Sequence, residues 1–199
     1  ALAVVVGFTA TPVLADSLKT ASDKMTTVAK DQVVEGTAYL GGDTIVVAGS
    51  VKGDVFCAGR DITISGVIEG DVLCGAQNIT IDGIVKGDVR VAGAKIFIKG
   101  TVEGSATLTG MDITTDSASM IGGDATIVGT QIGLYGAVGR DAMLGADRVA
   151  LHGQIGRNVD GGMTRLSVSD EVKIGGNLTY ASDNEAVVPD GAVVGKVQR

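Results

Sequence analysis

The chain has 199 residues, of which 45% are hydrophobic but only 3% aromatic; it carries 31 Gly, 2 Pro, no Trp and a formal net charge of −7. That length suits one ordinary domain, and a core without large rings has to be filled by Val, Ile, Leu and Ala. The acidic balance excludes a basic groove for nucleic acid, and two Cys with a single His are too few for a Cys/His zinc centre, so neither a nucleic-acid partner nor a cofactor is expected.

Residues 1–15, ALAVVVGFTATPVLA, are apolar and uncharged, and Val13-Leu14-Ala15 before Asp16 has the small-residue pattern of a cleavage site. They read as the remnant of a signal peptide. The alternative is a membrane-spanning anchor, but the run falls short of the ~20 residues a span needs and contains Thr and Pro. The mature chain is expected to begin near Asp16 and to lie outside the cytoplasm, secreted or exposed on the cell envelope. Residues 16–33 are more polar and are expected to form a linker, or a cap that closes the following domain or lies along it.

From residue 34 to 199 the chain repeats. Gly-Asp recurs at Gly53-Asp54, Gly70-Asp71 and Gly87-Asp88; the same phase continues at Gly104-Ser105, Gly123-Asp124, Arg140-Asp141, Arg157-Asn158 and Gly176-Asn177. Counted from Thr37, the steps are 17, 17, 17, 17, 19, 17, 17 and 19 residues. The longer steps place their extra pairs at Thr115-Asp116-Ser117 and Ser169-Asp170-Glu171, as insertions at a corner would. Apolar columns run through the aligned units. One is Val51, Ile68, Val85 and Val102; another is Val55, Val72 and Val89; a third is Leu40, Cys57, Cys74 and Val91; two more are Ile62, Ile79, Ile96 and Ile64, Ile81, Ile98, with Thr115 in the last file.

Within a unit the apolar spacing is two, which marks one face of a strand. A unit this short cannot hold a strand and a crossover helix. Each must turn on itself and stack on the next. The expected fold is all-β: a single-stranded parallel β-helix, a triangular solenoid of about nine rungs of 17–19 residues and roughly 40 Å long at ~4.8 Å per rung.

Outward positions carry the functional candidates. Lys52, Glu69, Lys86 and Glu103 alternate in sign from rung to rung, as a solvated face or a register device would. The Asp column places like charges one rung apart, so its carboxylates must bond corner N–H groups or hold cations; a single ladder does not supply the six or more oxygens of a Ca²⁺ site. Tyr39, Phe56 and Leu73 form a short outward apolar stripe, a candidate interaction surface for a cell-envelope partner unless residues 16–33 cover it. Cys57 and Cys74 lie one rung apart in an inward column. They are a candidate disulfide, favoured by an oxidising compartment but with both Cβ atoms pointing the same way; two buried free thiols are the alternative.

Catalysis is not expected. The acids are spread one per rung and no long loop builds a cleft, and His152, beside the core position Leu151, has no evident partner. Hexapeptide acyltransferase coils need eighteen residues per turn. An ice-binding face needs paired Thr ladders, whereas the outward file here reads Val46, Thr63, Thr80, Phe97, Thr114, Gly133 and Ala150.

The unit G-D-V-x-x-A-G-x-x-I-x-I-x-G-x-V-x, seen in Val51–Gly66, Ile68–Gly83 and Val85–Gly100, resembles the bactofilin family of polymer-forming proteins, over roughly residues 34–180. The resemblance implies a right-handed coil that joins end to end into filaments without nucleotide, hence a homo-oligomer with no catalytic residue. Bactofilins are typically cytoplasmic, so this chain is expected to be an exported variant that meets a membrane only through a segment outside these residues. The leading expectation is a structural, self-assembling or scaffolding protein; the alternative is a monomeric rod whose face binds cell-wall glycan or a protein.

Overall fold

The computed structural model describes residues 25–199. The expected signal segment, residues 1–15, and the first part of residues 16–33 lie outside the described residues. The described chain is all strand and turn, a parallel β-solenoid of about ten turns. Its strands form a 12-stranded and a 9-stranded sheet in which every pairing between strands is parallel.

One rung illustrates the unit. Val55–Ile64 is a single ten-residue strand, buried at Val55, Cys57, Ile62 and Ile64. The phase of burial slips in the middle, at Ala58–Asp61, so the strand bends there and supplies two faces of the coil rather than one. Val67–Ile68 is the short third face. The next rung repeats this as Val72–Ile81 and Ile84–Val85, in register Val55↔Val72, Ile62↔Ile79 and Ile68↔Val85. Like inward side chains thus stack on one another. Val55, Ile64, Ile68, Val72, Ile81, Val85 and Ile98 have no exposed surface, and each contributes on the order of 1.5–3 kcal/mol of burial.

The corner after the second face explains the glycines there. In a 17-residue rung the N–H groups of Asp82 and Gly83 both donate to the Ile64 carbonyl, at 2.8 and 3.0 Å. A Cβ on Gly83 would overlap the Gly66 carbonyl oxygen. In the 19-residue rungs the extra pair makes a turn, with Ser119 donating to the Asp116 carbonyl at 3.0 Å and Val172 to Ser169 at 3.2 Å. That turn gives room for a side chain, and buried Ser119 and Val172 stand where the shorter rungs need Gly.

Lengthening the corner displaces the carbonyl that the next rung uses. Thr115, 1% exposed in an otherwise apolar file, replaces it. Its Oγ1 accepts from the N–H groups of Tyr135 and Gly136, both at 3.0 Å.

The coil extends past both ends of the repeat. Met25–Val28, inside the segment expected to be a linker or cap, is a strand that pairs with Thr44–Val47 and turns through Gln32 N–H to the Ala29 carbonyl at 2.9 Å. At the other end Val193 bridges Ile174, and Val197–Gln198 pairs with Leu178–Thr179. The inward column there passes through Gly161, opposite Leu144, to Tyr180. Met163 packs where Gly161 has no side chain. The Tyr180 ring is buried and its hydroxyl accepts from the Ala186 N–H at 3.1 Å, so the segment after the last full rung closes over the core.

Candidate functional site

Residues Tyr39, Phe56 and Leu73 are the second positions of three successive ten-residue strands, so the pleat turns them outward, and the register places them side by side: Tyr39↔Phe56↔Leu73. The Tyr39 and Phe56 rings stack at 5.2 Å with 12° between their planes. Tyr39 is 66% and Leu73 48% exposed. Arg90 ends the stripe. The strand Met25–Val28 lies on the second face instead, against Thr44–Val47, so none of the described residues before position 33 covers the stripe as a strand.

Directly behind this stripe Cys57 and Cys74 are bonded to one another across 17 residues of chain. Their Cα atoms are 4.5 Å apart, the spacing of adjacent rungs, and this lies within the range a disulfide spans. Cys57 and Cys74 remain register partners, in step with the rest of the two rungs.

The Asp column forms a continuous ladder of side chain-to-backbone bonds along one corner. Oδ1 of Asp54 accepts from the Asp71 N–H, Asp71 from Asp88 and Asp88 from Ser105, each at 2.8 Å. Ser105 Oγ continues it to Asp124 at 3.1 Å, Asp124 to Asp141 at 3.1 Å and Asp141 to Asn158 at 3.0 Å. Asn158 and Asn177 then accept from Asn177 and Lys196 at 2.9 and 2.8 Å. The corner N–H groups are thus the partners this geometry gives the column. The Asp88 N–H holds the Asp71 carboxyl below the usual carboxylate range, with Arg90 adding to it. The Asn158 backbone N–H does the same for Asp141, and its side-chain amide adds to it. Among the described residues no cluster of three or more His, Cys, Asp or Glu is arranged to hold a metal.

Beside the ladder the alternating charges pair as neighbours: Lys52 Nζ lies 2.9 Å and Lys86 Nζ 3.8 Å from Glu69 Oε1. Both partners of each pair are well exposed, so water screens the attraction and the pairs add little to stability.

A different arrangement occupies the second face of the later rungs, which sequence reasoning missed. Gln131, Arg148 and Arg165 stand in one outward file, and Gly133, Ala150 and Ser167 in the next. Tyr135 and His152 stand just beyond. Their rings stack at 4.4 Å with 16° between planes, so His152 has an aromatic partner after all. The Tyr135 ring edge lies over Gly133, in space a Cβ would take. All of these but His152, together with Asp112 and Thr114, line an open depression of about 420 Å³.

Arginines elsewhere in the chain are engaged. Arg60, Arg90, Arg140 and Arg157 each have an Asp oxygen within 4.0 Å, and Arg199 donates to the Ser182 and Asp183 carbonyls. The guanidinium groups of Arg148 and Arg165 have neither an ion-pair nor a hydrogen-bond partner among the described residues. Their 17-residue spacing was the available signal, since it puts them on adjacent rungs.

No family model, no curated protein and no solved structure matches the chain.

Proposed function

We propose that the protein is a structural rod outside the cytoplasm that assembles end to end through the open edge of its N-terminal coil, as its resemblance to the bactofilins implies. One observation carries the reading. Ala38 turns its N–H towards the following rung, donating to the Asp54 carbonyl at 2.8 Å. By alternation along the strand, Tyr39 turns its N–H and C=O to the other side, where no described strand pairs with it. An unpaired parallel edge of this kind templates another strand. The exposed Tyr39–Phe56–Leu73 stripe runs up to this edge and would add apolar contact beside it.

Further support comes from chemistry. A disulfide of this kind persists in oxidising compartments, which supports the reading of residues 1–15 as a signal peptide. The corner carboxylates are committed to backbone N–H groups, a structural use of acids rather than a catalytic one.

Negative-stain electron microscopy of the chain from Asp16, without nucleotide and across protein concentration, tests the proposal. Unbranched filaments as thin as one coil are expected. Tyr39→Pro removes the outward-facing donor without breaking a rung-to-rung bond and is expected to abolish them while retaining the circular dichroism of the native rod. Single short rods of the native chain at every concentration would refute end-to-end assembly.

A further inference from the structure

We propose that the second face of the later rungs is a binding site for a carboxylate-bearing saccharide. The argument begins with charge. Arg148 and Arg165 are direct cross-rung neighbours, and like charges so placed repel. The remaining arginines of this chain, which has a net charge of −7, are matched with a carboxylate or with carbonyl oxygens. These two are not, and they project from the same wall of the same depression. A pair of guanidinium forks one rung apart fits the oxygens of one carboxylate, with a fork for each.

The rest of the depression specifies what carries that carboxylate. Its floor is small and apolar at Gly133 and Ala150, and the Tyr135 ring, braced by His152, forms the opposite wall. A flat floor with one aromatic wall accepts the C–H face of a pyranose. Hydroxyls of Thr114 and Ser167, the amide of Gln131 and the carboxylate of Asp112, which stands two rungs before Arg148 in the same file, stand at the margin to meet sugar hydroxyls. The acidic character of the whole chain disfavours densely charged polyanions, which leaves one carboxylate per ring as the matching charge density. The site lies on a lateral face, so it does not rest on the assembly proposed above.

Titration calorimetry of the full chain with tetragalacturonate at low ionic strength tests this, with the fully methyl-esterified tetramer as the neutral counterpart. The acid is expected to bind, and the ester to bind at least tenfold more weakly. Arg148→Gln and Arg165→Gln are each expected to weaken the acid tenfold or more without lowering the melting temperature, because each also removes a repulsion. Arg90→Gln, on the first face, is expected to leave binding unchanged. No binding of the acid at millimolar concentration, equal binding of acid and ester, equal binding by the two Arg variants and the native chain, or equally tight binding of inorganic phosphate would each overturn the proposal. Filament formation is scored separately and does not bear on the outcome.

Discussion

Thr115 shows how one side chain repairs a defect that an insertion creates. It is a buried hydroxyl in a file of Ile, Leu and Val, and two N–H groups of the next rung depend on it. Thr115→Val keeps the shape and removes the acceptor. Leaving both donors unsatisfied is expected to cost about 2–4 kcal/mol, read as a lower urea midpoint at unchanged slope. The corner ladder makes a complementary case. Asn158 and Asn177 already do with an amide oxygen what Asp54, Asp71 and Asp88 do with a carboxylate. Asp54→Asn is therefore expected to be close to neutral at pH 7. Asp54→Ala is expected to lose about 1 kcal/mol, which thermal melting of the two variants side by side would resolve.

Rungs, as elements, were mostly plain in the sequence, because an apolar residue every seventeen positions can stack only on its own kind. The ends were not. Met25–Val28 carries no Gly-Asp pair, and in the last turn Lys196 stands where the earlier units have Asp, Asn, Ser or Thr. The unit was therefore invisible where its marker was replaced, although the backbone at Lys196 still donates to the ladder. The single bent strand was also hidden, since the polar and glycine positions at Ala58–Asp61 look like a break between strands although the backbone ladder runs through them. The Arg148–Arg165 depression was half visible. Register followed from the spacing, but which arginines lack an acid depends on side-chain reach that no spacing encodes. The Cys57–Cys74 bond adds a covalent tie between two of the rungs. Closing a 17-residue separation restricts the unfolded chain by about 3 kcal/mol. Dithiothreitol is expected to lower the stability of the native chain by that order. A Cys57→Val/Cys74→Val variant, matching Val91 in the same file, is expected to show no response to the reductant in urea titration.

Over the whole molecule, the titrating groups define a window of stability. Asp71, Asp141, Asp61 and Glu69 all have carboxyls held below their ordinary range, Asp61 by the Asn78 amide and then Arg60, Glu69 chiefly by Lys52. A depressed carboxyl stabilises the fold above its unfolded pKa, near 4, and this is lost as pH falls through the folded value. Lys52 is raised, chiefly by its hydrogen bond to Glu69, so its contribution is complete below about 10.4 and disappears as pH climbs past that. The melting temperature is expected to stay level between about pH 5 and 10 and to fall on both sides; a steady decline from pH 8 to 5 in a calorimetric series would contradict this assignment.

The corner ladder also makes the coil a ruler. Every rung from Asp54 to Asn177 offers its neighbour a side-chain oxygen and receives a backbone N–H, so a rung can be removed without leaving a mismatched surface. Excising residues 88–104 would join Gly87 to Ser105 and set Asp71 against Ser105, with Ile79 stacked on Ile113. The rod would be one stride shorter, ~4.8 Å, and otherwise the same object. Length in such a protein is written in whole units of chain, and it can be edited by counting.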